Sequence, residues 1–527
     1  MKKAIECVFT STMTAILVLL LFFSGSSFAA KKYFAFPNSK FLAIAFAVAV
    51  AILIVAKMFK RLMKAKIGEI DGSKLEKLDK IVFYMSWGLF FTEVYICFNI
   101  IFASNWDPGA VWFAALSRAY DDLIGMGDWN IYLSRYPNNH VLLFLYTACY
   151  RFNQSFGIFG EQYSRMLPVV IDCATISGAV YLTYKELCLI VKKNYAFLGF
   201  VLCVLLAGLS PWMVICYSDS LAIFFPISTL YLYTKPYKAE NRRIAGRIVA
   251  VVVCCFGYFI KPQCAIVLIA IVCLELINYL KCREFKKLSW LLLLVVCAAI
   301  CVSVNSSVLT AVYEAPGIHM DAEKKFGMSH FLMMGLNEES GGAYSDDDVD
   351  FSASIESAKE RTSADFSRAM ERVRAMGVIG YVKHICKKLL TAYHDGTFAW
   401  GMEGSWYNKI VEDVNRTMAP FLQSLFYIDG SRYEVLKNSE QLVWIFTLLF
   451  TTLAGFFRGN EESRDTIDTV KLSIVGLTMF QILFEVRARY LFLYVPFFCM
   501  LAAVGFSRFE AFLNEKWTGL HNTSAEK

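Results

Sequence analysis

Stretches of about 17 to 25 predominantly apolar residues, repeated along the whole 527-residue chain, limit its folding more than any other feature. A hydrocarbon core about 30 Å thick is crossed by about 20 helical residues, each rising about 1.5 Å. About twelve such windows occur, near 5–24, 39–58, 81–103, 165–184, 195–214, 219–234, 244–260, 263–280, 289–309, 440–457, 469–485 and 489–507. Only 18% of the residues are charged and 57% are apolar, with a mean hydropathy of +0.48, whereas an ordinary soluble domain carries about 25% charged residues. The expected fold is an all-α integral membrane protein, a bundle of about twelve transmembrane helices whose extracytoplasmic loops bear interfacial helices. Disorder, coiled coil and collagen are excluded by the same figures, and no internal repeat is visible.

Basic residues set the expected orientation. They gather at Lys57, Lys60, Arg61, Lys64 and Lys66, at Lys185, Lys192 and Lys193, at Lys235 to Arg247, and at Lys281 to Lys287. By the positive-inside rule these stretches are cytoplasmic, which also accounts for the net charge of +7 without invoking nucleic acid. Segments 104–164, 215–218, 261–262, 310–439 and 486–488 are then extracytoplasmic, with both termini inside. The first window, with its Met1-Lys2-Lys3 start and Ser27-Phe28-Ala29 end, also fits a signal peptide and is read as a retained anchor. The run 141–152 is short for a span and is placed as a re-entrant or interfacial helix. Four regions follow: 1–80, an N-terminal helix pair with a basic loop; 81–309, a transmembrane module with first outer loop 104–164; 310–439, a large outer loop; and 440–527, the last helices and a tail. The 16 cysteines lie mostly in apolar runs without a C-x-x-C pair and read as small packing residues.

Polar residues at the outer helix ends are the candidates for chemistry. Asp107 lies at the membrane surface directly after the window 81–103, beside Pro108 and Gly109 and between Trp106 and Trp112. A carboxylate fixed there is able to take the proton from an incoming hydroxyl; the alternative is a helix cap. Asp121 and Asp122 continue the amphipathic pattern, and Arg135, Tyr136, Asn138 and Asn139 form a polar turn, all candidates for acceptor binding. Lys261 interrupts a long apolar stretch at an outer turn, where a lipid phosphate or snorkelling to headgroups accounts for it. In the large loop, Asp346, Asp347, Asp348 and Asp350 read as a solvated acidic run, and 364–392 as a basic amphipathic helix on the membrane. Gly and aromatic residues alternate through 393–406, so Trp400 and Glu403 are expected at a sugar-stacking rim, with a tight buried loop as the alternative.

Asp107 followed by Val111, Trp112, Ala114 and Ala115 resembles the membrane-embedded glycosyltransferases of the GT-C class, the superfamily of protein O-mannosyltransferases, lipid A aminoarabinose transferases and oligosaccharyltransferases. That resemblance implies an essential aspartate, here Asp107, in the first extracytoplasmic loop. It also implies a second acidic position, matched by Asp219, that touches a metal ion (Mg or Mn) or the donor phosphate; an N-cap role is the alternative. Metal use is an open expectation, since Asp219 stands alone. Arg487-Ala488-Arg489-Tyr490 resembles a recurring feature of bacterial members, and planar guanidiniums suit phosphate, with Glu485 as a pairing partner. The implied activity is transfer of a sugar from a polyprenyl-phosphate donor to a cell-envelope glycan, lipid or protein, with inversion, at a bacterial plasma membrane. A transporter or flippase of a lipid-linked saccharide is the rival, and would place its ionisable residues at mid-bilayer.

Overall fold

The computed structural model describes residues 2–23, 36–67, 72–119, 123–160, 163–283, 285–313, 320–404, 407–409, 418–457 and 463–525. Each apolar window is mostly helical, as expected where the chain alone can satisfy its backbone groups in hydrocarbon. Three long helices come first, α1 (Lys2–Phe23), α2 (Asn38–Ile67) and α3 (Gly72–Ile100). Strand β1 (Phe102–Ser104) leads into α4 (Asp107–Ala119), α5 (Leu123–Arg135) and α6 (His140–Phe156). The middle of the chain runs through α7 (Met166–Ile190), α8 (Lys193–Cys203), α9 (Ser218–Leu221), α10 (Phe224–Thr234), α11 (Glu240–Ile260), α12 (Ala265–Cys282) and α13 (Phe285–Tyr313). The long loop holds α14 (Met328–Gly335), α15 (Asp346–Ala353), α16 (Ala358–Tyr393), α17 (Trp400–Glu403), β2 (Tyr407–Lys409) and α18 (Met418–Phe426). The chain closes with α19 (Tyr433–Phe456), α20 (Arg464–Leu483) and α21 (Val495–Ala525).

Among the described residues, nine helical stretches are long and apolar enough to cross a membrane, fewer than the twelve expected. Two further stretches, Lys193–Gly208 and Leu288–Val304, are apolar but shorter. The window 219–234 is not one continuous helix: α9 and α10 divide it, and the 11 residues of α10 reach only about 16 Å. The expected short helix at 141–152 is the amphipathic α6, which buries Leu142, Tyr146 and Tyr150 and leaves Arg151 and Phe156 exposed. Its rings Tyr146 and Tyr150 stand 5.5 and 5.1 Å from Trp112 of α4, so α4 and α6 form one paired layer.

Helices α19 and α21 cross in close contact in the core. A Cβ on Gly505 would stand 1.9 Å from the carbonyl oxygen of Phe450, so the backbones touch there only because position 505 has no side chain. Buried cysteines such as Cys203, Cys254, Cys264 and Cys499 fill gaps between helices as free thiols.

The long loop is folded, and this corrects the expectation of a solvated acidic run. Asp348 is wholly buried, with Arg372 Nη2 at 2.6 Å and Asn337 Nδ2 at 2.9 Å, so the acidic run is not simply solvated. A buried carboxylate of this kind needs a fixed cation, and Arg372 comes from the helix expected to lie on the membrane. That helix, α16, breaks at Gly377 (φ 60°), and its first half packs Ala369, Met370 and Val373 against Met333 and Leu336 of α14 and its end. Strand β2 returns to pair antiparallel with β1, Ser104 facing Tyr407 and Phe102 facing Lys409, which ties the long loop to the residues just before Asp107.

Candidate functional site

Asp107 opens α4 at a position where β1 and the helix press together. A Cβ on Gly109 would lie 1.9 Å from the carbonyl oxygen of Ser104, so this glycine permits the sharp entry that sets the carboxylate. The carboxylate is half-buried and takes two phenols: Tyr132 donates to Oδ1 at 2.9 Å and Tyr217 to Oδ2 at 3.3 Å. Asn139 braces both, donating to the Tyr132 hydroxyl at 2.8 Å and accepting from Tyr217 at 3.3 Å. Burial, with the negative charge of Asp107 beside it, pushes both tyrosines well above the ordinary phenol range, so they stay donors. The first turn of α4 adds its dipole to the support of the carboxylate.

Tyr217 and Trp106 connect this group to a second one. The Arg489 guanidinium lies 4.4 Å from the Trp106 ring centre and 5.8 Å from that of Tyr217, and the two rings meet edge to face at 5.4 Å. Arg489 Nε is 3.2 Å from Asp219 Oδ2, and Lys261 Nζ pairs with Asp219 Oδ1. The other side of Arg489 pairs with Glu403 Oε2, whose Oε1 is 3.2 Å from Arg487 Nη1. Arg487 Nε then reaches Glu485 Oε1 at 3.0 Å, and Tyr490 donates to Glu485 Oε2 at 3.0 Å. Although burial raises the Glu485 carboxyl, the charge of Arg487 and its hydrogen bond hold it below the usual carboxylate range. The chain is thus a sequence of alternating charges, Lys261, Asp219, Arg489, Glu403, Arg487 and Glu485, three of each sign, with the Lys261 ammonium also 4.4 Å from the Tyr490 ring centre. Such a network survives burial because no charge in it lacks a partner.

Five expected residues from four segments are therefore brought together: Asp219, Lys261, Arg487 and Arg489 in the charge network, and Asp107 beside it through Tyr217 and Trp106. Asp219 is not an N-cap, a position taken by Tyr217, and it faces two cations, while Lys261 is buried rather than extended to solvent. The expected metal position at Asp219 does not fit a divalent ion, because Lys261 and Arg489 occupy both carboxylate oxygens, and no group of three metal-ligating side chains exists among the described residues.

Other expected residues fall elsewhere. Trp400 is fully buried, its Nε1 donating to Phe426 O at 2.9 Å and its ring edge-on to Trp212 at 5.4 Å, so it is core and not an exposed sugar-stacking rim. Arg135 and Tyr136 turn toward Phe326 of the long loop, with ring-centre distances of 5.8 and 5.5 Å, and hold the seam there. Asn139 joins the Asp107 network, Asn138 only touches Asn139 at 3.3 Å, and Asp121 and Asp122 lie outside the described residues. The spacing of the sequence carries no signal for Tyr132 and Tyr217, which approach Asp107 from α5 and from the turn before α9. Comparison with curated proteins returned no match. A family model described as conserved hypothetical integral membrane protein matches residues 1–509, and the chain belongs to that family.

Proposed function

We propose that the protein is a membrane glycosyltransferase that moves a sugar from a polyprenyl-phosphate-linked donor to an extracytoplasmic acceptor of a bacterial cell envelope, with inversion. The observation that carries the reading is the junction of a phenol-braced carboxylate, Asp107, with three cations, the buried Lys261 and Arg489 and the part-buried Arg487. Phosphate is a good leaving group, so the protein needs to supply a base on one side and charge neutralisation on the other. Asp107 takes the proton of the acceptor hydroxyl as its oxygen attacks the anomeric carbon. Tyr132, Tyr217 and Asn139 keep the carboxylate aimed. The sugar–phosphate bond breaks as the new glycosidic bond forms, and the electron pair departs with the lipid phosphate toward Arg487, Arg489 and Lys261.

A transporter of a lipid-linked saccharide is the second reading, and one observation favours it. Glu93 of α3 and Asp172 of α7 are fully buried within membrane-length helices, and among the described residues no lysine or arginine pairs with either. Ser177, which donates to Glu93 at 2.7 Å, also lines a cavity of about 330 Å³ between these helices.

The deciding experiment follows radiolabelled sugar from a panel of polyprenyl-phosphate donors into membrane acceptors, with wild-type protein and Asp107→Asn at matched expression. Labelling is expected to fall by about 10²–10⁴ in the variant, the usual worth of a general base. Undiminished labelling removes Asp107 from the mechanism, and none from any donor favours transport.

A further inference from the structure

Of the three carboxylates in the charge network, Glu403 is held differently from the other two. Asp219 belongs to the buried α9, and Glu485 lies two residues from its partner Arg487 on one turn. Glu403 alone arrives from the long loop, on the four-residue α17, and presents one oxygen to each of two guanidiniums. Two oxygens of one anion shared between two guanidiniums is the geometry in which arginines hold phosphate. The backbone before Glu403 is strained: Phe398 (φ 54°) and Ala399 (φ 65°) are consecutive non-glycine residues in the left-handed region. Asp395 props this bend, accepting from the N–H of Thr397 at 2.8 Å and of Ala399 at 3.1 Å. Removing Glu403 from the network leaves three cations against two carboxylates, a deficit of one negative charge, which a phosphodiester monoanion restores.

We propose that Glu403 is a displaceable occupant of the anion seat formed by Arg487 and Arg489: it fills the seat in the free protein, and a lipid phosphate binds by replacing it, releasing the turn Gly401–Gly404 while Trp400 stays in the core. The proposal rests on the polyprenyl-phosphate reading of the site. Glu403 is thereby a gate and not a base, and the strained bend before it lowers the cost of release.

The test measures binding of polyprenyl phosphate, without any sugar, to the full-length protein in lipid nanodiscs. Wild type, Glu403→Gln and Glu485→Gln are compared, with inorganic phosphate as a parallel probe. If the seat is free in about a tenth of wild-type molecules, Glu403→Gln binds polyprenyl phosphate about tenfold more tightly. Glu485→Gln shows no such gain, and in wild type the amides of Gly401–Gly404 exchange faster once the lipid is bound. Weaker or unchanged binding by Glu403→Gln overturns the gate, because Glu403 then only orders the arginines. Should that variant misfold, unaltered amide exchange in the lipid-bound wild type overturns it equally. A gain for inorganic phosphate alone excludes the lipid as occupant. Absence of polyprenyl-phosphate binding in every form brings down the donor reading itself and the gate with it, a result distinct from binding that ignores the substitution.

Discussion

Arg489 is the residue on which the charge network depends most, and Arg489→Ala measures that dependence. The guanidinium serves Asp219 at 3.2 Å and also Glu403, and its side chain is only 7% exposed, so solvent screens little of the loss. Removing it leaves Asp219, 2% exposed, with Lys261 alone, and Glu403 with Arg487 alone. The contact with Glu403 is a hydrogen bond, worth about 1.5–3 kcal/mol to a charged group, that with Asp219 is an ion pair, and breaking a buried ion pair costs about 3–5 kcal/mol. The expected loss is about 4 kcal/mol. Because much of it comes from stranded negative charge, adding Asp219→Asn recovers part, with a coupling of about 1.5 kcal/mol or more in the double-mutant cycle. Arg489→Lys falls between, since one ammonium cannot reach two carboxylates with the same geometry. Reversible unfolding in mixed micelles reads all five proteins, the four of the cycle and Arg489→Lys. A cost below about 1 kcal/mol for Arg489→Ala, or costs that simply add, refutes the reasoning, because the buried network would then not be a coupled unit.

Two further outcomes follow from other sites. Lys388 is buried, donates to Gly335 O at 2.7 Å and Phe484 O at 2.6 Å, and burial pushes its amine down to about 7. A lysine lowered in the fold costs most stability below about pH 7, and the cost is relieved as pH rises toward the unfolded value of about 10.4, at up to about 1.4 kcal/mol per pH unit. Unfolding of wild type is therefore harder at pH 9 than at pH 7, and Lys388→Met abolishes that difference; an identical pH slope in both proteins contradicts it. Gly109→Ala forces a Cβ to within 1.9 Å of Ser104 O, so the start of α4 shifts by about 1 Å. Sugar transfer is expected to fall about a hundredfold while helix content by circular dichroism holds; unaltered transfer means that the position of Asp107 tolerates the shift.

The positions of the membrane helices were legible in the chain because span formation is local: a window of apolar residues satisfies its own backbone and needs no partner. The candidates at helix ends, Asp107, Asp219, Lys261, Arg487 and Arg489, were legible for a related reason, since a charge next to hydrocarbon is costly and stands out against its neighbours. Length alone misled at 219–234, where the turn carrying Asp219 takes up residues that a continuous span would have used.

The partners of those charges belong to tertiary structure. Nothing within a few residues of Glu403 shows that it bridges Arg487 and Arg489, more than 80 positions away, and nothing near Asp107 in the chain shows that Tyr132 and Tyr217 converge on it. The same composition of glycine and aromatic residues that suggested an exposed rim at Trp400 is what allows a tight turn to bury that ring against Trp212. Asp348 likewise looked solvated until Arg372 of α16 was brought to it. Hydrophobic cost is a property each residue carries with it and sums along the chain, whereas the value of a charge depends on what lies within a few ångströms, and only the folded chain decides that.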